Sequence, residues 1–347
     1  MLKIYSDKSY ILQGKKPVIL LFPFWHEEGM KGSSRGRFAH YMEIGETLFR
    51  LTTLQEADLA VFPTAWEHIC NEPNFVSKAR QFIDLAKDAG KPVVLFFFSD
   101  SDERVPYDGT VIFRTSLYRS TKQQNEHALP AWSEDFVENY LNGDVRMRNK
   151  RPKAVVGFCG YVPPLPRHPV KRAYRAIKER IRGSYRLKKD FSARVRAIDL
   201  LKQSRIVETN FIFRDAFHAG VFLPDQQMDS EQARAEFLQN MLESDYILCS
   251  RGMGNFSYRF YEALSCGRVP VFVDTDCVLP YHSDIHWRDY CVWVEYTELD
   301  RIAEKVQSFH DGLSQSQFRE LQMECRSLWK RYLTPEGFFQ NFHKHFR

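Results

Sequence analysis

The sequence predicts an α/β protein made of two domains with mostly parallel sheets. Short apolar runs alternate with segments of helical periodicity along most of the chain, and this alternation is typical of strand–helix–strand units. The length of 347 residues suggests two such domains. A polar and basic segment at residues 146–153 interrupts the alternation near the middle of the chain, so we place the domain boundary there.

In the first half, three apolar runs predict the strands of a buried sheet. They are residues 18–24, 59–62 and 93–98. Residues 74–89 separate the last two runs and carry apolar side chains at helical spacing, with Asn74 near the helix start. Gly90 follows, and glycine is the residue type that most often ends a helix. Residues 1–150 therefore form the predicted N-terminal Rossmann-like domain.

The second half repeats the alternation. The predicted strands are residues 154–159, 205–211, 246–249, 269–273 and 291–294, and the predicted helices are residues 230–243, 255–266 and 299–310. Residues 151–330 form the predicted C-terminal Rossmann-like domain, and residues 331–347 a C-terminal helix that packs back on the N-terminal domain. Two such domains predict a cleft between them, with ligands bound beyond the carboxyl ends of the strands.

Composition narrows the class of protein. The 49 basic and 44 acidic residues give a net charge of +5, which does not by itself indicate nucleic acid as a partner. None of the seven cysteines forms a Cys-x-x-Cys pair, which argues against a zinc knuckle and favours a reducing compartment. The N-terminal residues show no secretory signal, so we expect a cytoplasmic protein.

The stretch after the predicted strand 246–249 has the features of an anion site. A helix start offers free N–H groups and the positive end of a dipole, and arginine suits phosphate oxygens. A carboxylate one turn into the helix can accept the hydroxyls of a ribose. The candidate donor-binding residues are Arg251, Gly252, Gly254, Asn255, Ser257, Arg259 and Glu262. The alternative is a plain strand–turn–helix in which Asn255 or Ser257 only caps the helix.

At this stretch the sequence resembles the exostosin family of glycosyltransferases. "YILCSRG" (246–252) is similar to the family's strand and Arg-Gly turn, and "GNFSYRFYEALSCGRVPVF" (254–272) to its pattern G-x-x-S-x-R-x-x-E-A with a strand after it. "LPYHSDIHW" (279–287), "EADLAVFP" (56–63) and "FCG" (158–160) resemble further family elements. The second-half pattern is the specific one, because several spaced elements match in order.

The resemblance implies a GT-B fold, in which two Rossmann-like domains face each other across a cleft. It implies an inverting transferase that takes a sugar from a nucleotide-sugar donor without a metal or other cofactor. It places Ser257, Arg259 and Glu262 on the nucleotide side and Arg251 near the diphosphate. The acceptor expected from the family is a glycan or a lipid-linked molecule.

The sequence departs from the animal members of the family in two ways. It shows no membrane anchor, which favours a bacterial enzyme that builds surface polysaccharide or glycolipid. It also has Arg268 after Gly267, where the family commonly has Cys or Thr.

Two Asp-x-Asp pairs follow predicted strands, as the metal-binding pair of GT-A transferases does. They are Asp100 with Asp102 and Asp274 with Asp276. Carboxylate oxygens there can hold manganese or magnesium, but aspartate also follows strands because it favours turns. A metal-dependent GT-A transferase and a non-catalytic nucleotide- or carbohydrate-binding protein are therefore the alternatives, and we expect a site without metal.

Inversion requires a base that takes the proton of the acceptor hydroxyl. Asp102 is the first candidate because it follows the predicted strand 93–98 of the first domain. His26, after the predicted strand 18–24, is the rival. Each residue also fits an ordinary solvated loop, and the resemblance is too weak in the first half to decide.

Residues 167–205 hold fourteen Lys and Arg residues against three Asp and Glu residues. This balance favours peripheral contact with the anionic inner face of a membrane. The alternative is a solvated helical face, and no RNA-binding motif accompanies the segment.

Overall fold

The computed structural model describes residues 1–25, 36–163, 191–215 and 230–346. His26 and residues 167–190 of the basic segment lie outside these ranges. By its internal contacts the chain divides into two compact units. Unit 1 comprises Met1–Glu134, Val278–Tyr281 and Arg331–Arg347, and unit 2 comprises Asp135–Cys277 and His282–Lys330.

Across the described residues, strands and helices are interspersed along the chain. The strands are β1 (Leu2–Tyr5), β2 (Phe49–Leu51), β3 (Leu59–Val61), β4 (Val93–Phe97), β5 (Thr110–Arg114), β6 (Glu126–Ala128), β7 (Val155–Tyr161), β8 (Glu208–Arg214), β9 (Tyr246–Cys249), β10 (Val269–Asp274) and β11 (Val292–Glu295). The helices are α1 (Phe22–Trp25), α2 (Ala39–Leu48), α3 (Trp66–Ile69), α4 (Pro73–Asp88), α5 (Phe136–Leu141), α6 (Ser192–Gln203), α7 (Ser230–Leu242), α8 (Tyr258–Ser265), α9 (Ile302–Asp311), α10 (Gln315–Leu328) and α11 (Pro335–Gln340).

Unit 1 is built on a parallel sheet in the order β2-β1-β3-β4-β5-β6. All five residues of β4 are buried, which explains why its sequence is wholly apolar. The amphipathic helix α4 packs Phe82 and Ile83 into the same core. Gly90 follows α4 with a φ of +69°, a left-handed conformation that glycine adopts without strain. The sequence predicted β3, α4 and β4 within one residue at each end.

The predicted strand at residues 18–24 is wrong. Ile19–Leu21 forms a 3₁₀ turn, and α1 follows it directly. The run is buried as a strand would be, but Pro23 has no N–H group to give to a strand ladder. A short apolar run does not by itself distinguish a buried helix from a buried strand. The positional argument for His26, that it follows a strand, is therefore lost.

Unit 2 is built on a second parallel sheet, in the order β11-β10-β9-β7-β8. The predicted strands at β7, β9, β10 and β11 are confirmed within two residues, whereas β8 begins three residues later than predicted. β9 is fully buried between β7 and β10, and α8 leads from it to β10. The two parallel sheets confirm the predicted α/β class, and their arrangement across a cleft stays a prediction.

Arg268 has a structural role at the start of β10. Its side chain is fully buried, and burial lowers the pKa of the guanidinium to about 10. The guanidinium donates hydrogen bonds to the carbonyl oxygens of Met241 (3.1 Å), Leu242 (3.4 Å) and Arg146 (2.6 Å). It thereby ties the end of α7 to the segment before β7, which gives a reason for arginine at this position.

Candidate functional site

The predicted donor-binding residues all lie between β9 and the middle of α8, within unit 2. β9 ends at Cys249, and α8 begins at Tyr258 with Ser257 as its N-cap residue in extended conformation. The Ser257 side chain makes no capping hydrogen bond. The first N–H groups of a helix have no acceptor within the helix, so the start of α8 presents donors at the carboxyl end of the central strand.

Arg259 is held by three consecutive residues near the end of β7, which are Phe158, Cys159 and Gly160. The Arg259 Nη2 atom donates to the Cys159 carbonyl oxygen at 2.7 Å, and the guanidinium carbon lies 4.3 Å from the centre of the Phe158 ring. A Cβ atom on Gly160 would lie 2.5 Å from Nη2 of Arg259. The sequence "FCG" therefore supplies a stacking ring, an acceptor and the space that the guanidinium occupies.

Arg194, on α6, is a site residue that the sequence reasoning missed. Its guanidinium donates to the carbonyl oxygens of Tyr161 (3.1 Å) and Arg251 (3.2 Å), and more weakly to that of Ser250 (3.5 Å). It thus joins the end of β7 to the turn after β9. In the sequence Arg194 is one of fourteen basic residues in a charged segment, and no local pattern distinguishes it from the others.

Arg194 and Arg259 form a cationic pair of side chains. Burial, and next the charge of Arg259, lowers the pKa of the Arg194 guanidinium to about 9, so it remains charged at neutral pH. Within the described part of the chain, neither arginine has a carboxylate partner. Among the same residues, Nε of Arg194, Nε of Arg259 and Oγ of Ser250 are buried without a hydrogen-bond partner. Buried polar groups of this kind are usually satisfied, so the cluster is suited to an anionic ligand.

Arg251 is buried and turns toward its own loop. Its Nη2 atom donates to the Met253 carbonyl oxygen at 2.9 Å, and Nε to that of Gly252 at 3.4 Å. A Cβ atom on Gly252 would make only ordinary contacts at 3.9 Å, so packing within the protein does not require glycine there. Gly254 is buried in the same turn.

Asn255, in the turn after β9, is hydrogen-bonded to Thr275, the middle residue of the second predicted Asp-x-Asp pair. The buried Oδ1 atom of Asn255 accepts from Thr275 Oγ1 at 2.7 Å. The Asp274 carboxylate accepts from the Cys277 backbone N–H at 2.9 Å, and Asp276 has a left-handed φ of +68°. These contacts are those of a strand-ending turn. Across the described residues, no group of three or more His, Cys, Asp or Glu side chains is arranged to hold a metal ion.

Glu262 lies one turn after Arg259 on α8, and side chains three residues apart share a helix face. Its Oε1 atom is 3.9 Å from Nη1 of Arg234 on α7, and 16% of the Glu262 side chain is exposed. This ion pair is longer than a hydrogen bond, and the Glu262 side chain keeps some contact with solvent.

Asp102 lies in unit 1, in the exposed loop after β4. The buried guanidinium of Arg114, the last residue of β5, donates to the carbonyl oxygens of Ser101 (2.7 Å) and Glu103 (3.1 Å). It also pairs with the buried Glu126 carboxylate at 2.8 Å. The loop is therefore anchored on both sides of Asp102.

Glu67 is a second carboxylate at the same strand end, and the sequence did not single it out. Its Oε2 atom accepts from the Phe98 backbone N–H at 3.0 Å. Burial raises the pKa of the Glu67 carboxyl, as it does for many catalytic bases.

The charged segment is described only from residue 191 onward, where it forms α6. Its membrane contact stays a prediction. Along the described ranges, no helix combines the length and the apolar character needed to cross a bilayer.

Known proteins match the part of the chain that contains the candidate site. Residues 192–309 match the Exostosin GT47 domain. Exostosin-1 of Drosophila melanogaster is 29% identical over 113 residues, which are 32% of this chain and 14% of that protein. A probable glucuronosyltransferase of Oryza sativa subsp. japonica is 32% identical over 73 residues, 21% of this chain and 17% of that protein. The matched region contains β9, α8 and β10, so the predicted resemblance to exostosins is confirmed.

Among solved structures, the crystal structure of TarM matches with a TM-score of 0.32 and 9% identity, covering 74% of this chain and 55% of TarM. The catalytic domain of starch synthase IV from Arabidopsis thaliana matches with a TM-score of 0.36 and 10% identity, covering 97% of this chain and 79% of that one.

Proposed function

We propose that this chain, whose residues 192–309 match the Exostosin GT47 domain, is a glycosyltransferase that binds a nucleotide-sugar donor in unit 2. The observation that carries the proposal is the arginine cluster at the carboxyl ends of β7 and β9. Arg259 is anchored near the end of β7, and Arg194 contacts the turn after β9. Among the described residues, Nε of each arginine is buried without a hydrogen-bond partner. Open α/β sheets bind ligands at this end of their strands.

Each residue has a distinct proposed role in donor binding. The diphosphate lies at the start of α8, where the helix dipole and the Arg259 guanidinium neutralise its charge. Glu262, one turn further along α8, accepts the ribose hydroxyls. Arg194 contacts the turn itself, and so it positions the turn and adds positive charge.

The proposal extends to the chemistry of transfer. The acceptor is a glycan or a lipid-linked molecule, the configuration at the anomeric carbon is inverted, and Asp102 takes the acceptor proton. Two arginines and a helix start can neutralise the diphosphate without a metal, which supports a metal-independent enzyme. A role in bacterial surface polysaccharide synthesis stays a prediction from the sequence.

The test is the affinity of the chain for nucleotide sugars, measured by calorimetry with and without excess chelator. We expect Arg259→Ala and Glu262→Gln each to weaken binding about ten- to a hundredfold, because each removes a charge-assisted hydrogen bond. Arg196→Ala is the matched control, since Arg196 is on α6 and pairs with Asp300 at 2.7 Å. Unchanged affinity in both site variants, with the fold intact, would remove the donor site from this turn.

Assays of the same protein also distinguish the two alternative functions. Activity that collapses in chelator and returns with manganese would favour the metal-dependent enzyme. Tight donor binding without transfer or hydrolysis of any donor would identify a non-catalytic binding protein.

A further inference from the structure

Tyr258, which is exposed, and Phe256, which is half-buried, form an aromatic pair directly before Arg259 in the chain. Tyr258 is the first residue of α8 and is 51% exposed. Its ring lies 5.6 Å from that of Phe256, at an interplanar angle of 65°. Met253, in the turn that leads to them, is 44% exposed. We infer that this pair is the platform on which the transferred sugar ring of the donor lies, an inference that rests on the proposed function.

The pair lies at and just before the first residue of α8, which agrees with the order of the groups in the proposed donor. Glu262 is the proposed ribose contact, and Arg259, three residues earlier, is the proposed diphosphate contact. A donor that lies along the helix from Glu262 to Arg259 therefore continues toward the helix start. Tyr258 is the first residue of α8 and Phe256 precedes the helix, so both lie beyond the diphosphate contact at Arg259. In a nucleotide sugar the group beyond the diphosphate is the sugar.

The aromatic faces of the pair also suit a sugar ring chemically. A pyranose ring has faces that consist largely of C–H groups, which pack well against an aromatic ring because the face of the ring is electron-rich. The apolar faces of the pair are poorly suited to the charged diphosphate itself. The pair thus adds to the polar site the apolar wall that sugar recognition needs.

The experiment compares nucleotide sugars with the free nucleotides in one set of variants. The probes are UDP-glucose, UDP-glucuronic acid, UDP-N-acetylglucosamine and GDP-mannose, each titrated against UDP or GDP alone. We expect Tyr258→Ala to weaken binding of the nucleotide sugar about three- to thirtyfold while the affinity for the free nucleotide changes less than twofold. Tyr258→Phe retains the ring and should stay within twofold of the native chain.

Tyr140→Ala is the matched control. Tyr140 is also an exposed tyrosine of unit 2 and stacks on Phe136 at 5.9 Å, but it lies on α5. Equal losses for nucleotide sugar and free nucleotide, or a loss in Tyr258→Phe as large as in Tyr258→Ala, would overturn the platform. So would unchanged binding of the nucleotide sugar by Tyr258→Ala. Absence of nucleotide-sugar binding by the native chain would instead overturn the proposed function, and this inference with it.

Discussion

At the scale of single residues, the site depends on a glycine that contacts no ligand in our proposal. Gly160 lies at the end of β7, and its missing side chain is the space into which the Arg259 guanidinium fits. The guanidinium is fixed there by the Phe158 ring and the Cys159 carbonyl oxygen. A methyl group at residue 160 therefore acts on the position of a side chain 99 residues away in the sequence.

We predict that Gly160→Ala weakens donor binding about tenfold, because the new Cβ atom would meet the end of the Arg259 side chain. It should also lower the free energy of unfolding by about 1–3 kcal/mol, because residues with a side chain rarely adopt the φ of +158° found there. Calorimetry gives the affinity and thermal unfolding gives the stability. Gly312→Ala is the control, since a Cβ atom there would meet its nearest atoms at 3.5 Å. Native donor affinity in Gly160→Ala would show that the Arg259 position does not matter for binding.

At the scale of elements, two carboxylates with different surroundings lie at the carboxyl end of β4: Asp102 in the loop after the strand and Glu67 on α3. Asp102 is exposed on a backbone that Arg114 anchors, whereas Glu67 is largely buried against the end of β4. Hydrogen bonds from Arg114 fix the backbone around Asp102, and burial raises the pKa of the Glu67 carboxyl. Both arrangements are known ways to prepare a general base.

We predict that Asp102→Asn lowers the transfer rate by about two to four powers of ten while donor affinity stays nearly native. Single-turnover rates and calorimetry measure the two quantities, and Glu103→Gln in the same loop is the control. A large loss in Glu67→Gln with a near-native rate in Asp102→Asn would assign the base to Glu67. A loss confined to His26→Ala would assign it to the histidine.

The sequence predicted strands well where complete burial alone determined their residue types. β4, β9 and β10 are buried on both faces, so an apolar run was sufficient to find them. β1, β2 and β6 have only three or four residues and mixed burial, and no periodicity marked them.

The residues of the candidate site likewise divide into those that the sequence identifies and those that it does not. The turn from Arg251 to Glu262 is contiguous, so its motif is legible in the sequence. The hydrogen bonds of Arg194 with Arg251 and of Arg259 with Cys159 join residues 57 and 100 positions apart, and a single sequence does not record such pairings.

At the scale of the whole molecule, unit 1 is assembled from three separate stretches of chain. α11 belongs to unit 1, and Phe339 on α11 stacks on Tyr41 at 4.6 Å and lies 5.9 Å from Phe49 and 5.7 Å from Trp132. The core of the unit that contains residues 1–134 is therefore completed by residues after 331.

We predict that Phe339→Ala lowers the free energy of unfolding of unit 1 by about 3–5 kcal/mol, because it leaves a cavity among aromatic rings. Denaturant unfolding followed by tryptophan fluorescence measures the change. Leu85→Ala, at a 47% exposed position on α4, should cost little. Equal effects of the two substitutions would mean that α11 contributes no more than a surface residue does.

The discontinuity of unit 1 also sets an order of events during synthesis. On the ribosome, residues 331–347 emerge after every residue of unit 2, so unit 2 can fold while unit 1 still lacks α11. At about 5–20 residues per second, the 197 residues from 134 to 331 take roughly ten to forty seconds to add. For that interval the rings of Tyr41, Phe49 and Trp132 have no α11 to cover them. A nascent chain with such exposed aromatic surface is a natural client for chaperones, and the need arises from the order of the segments.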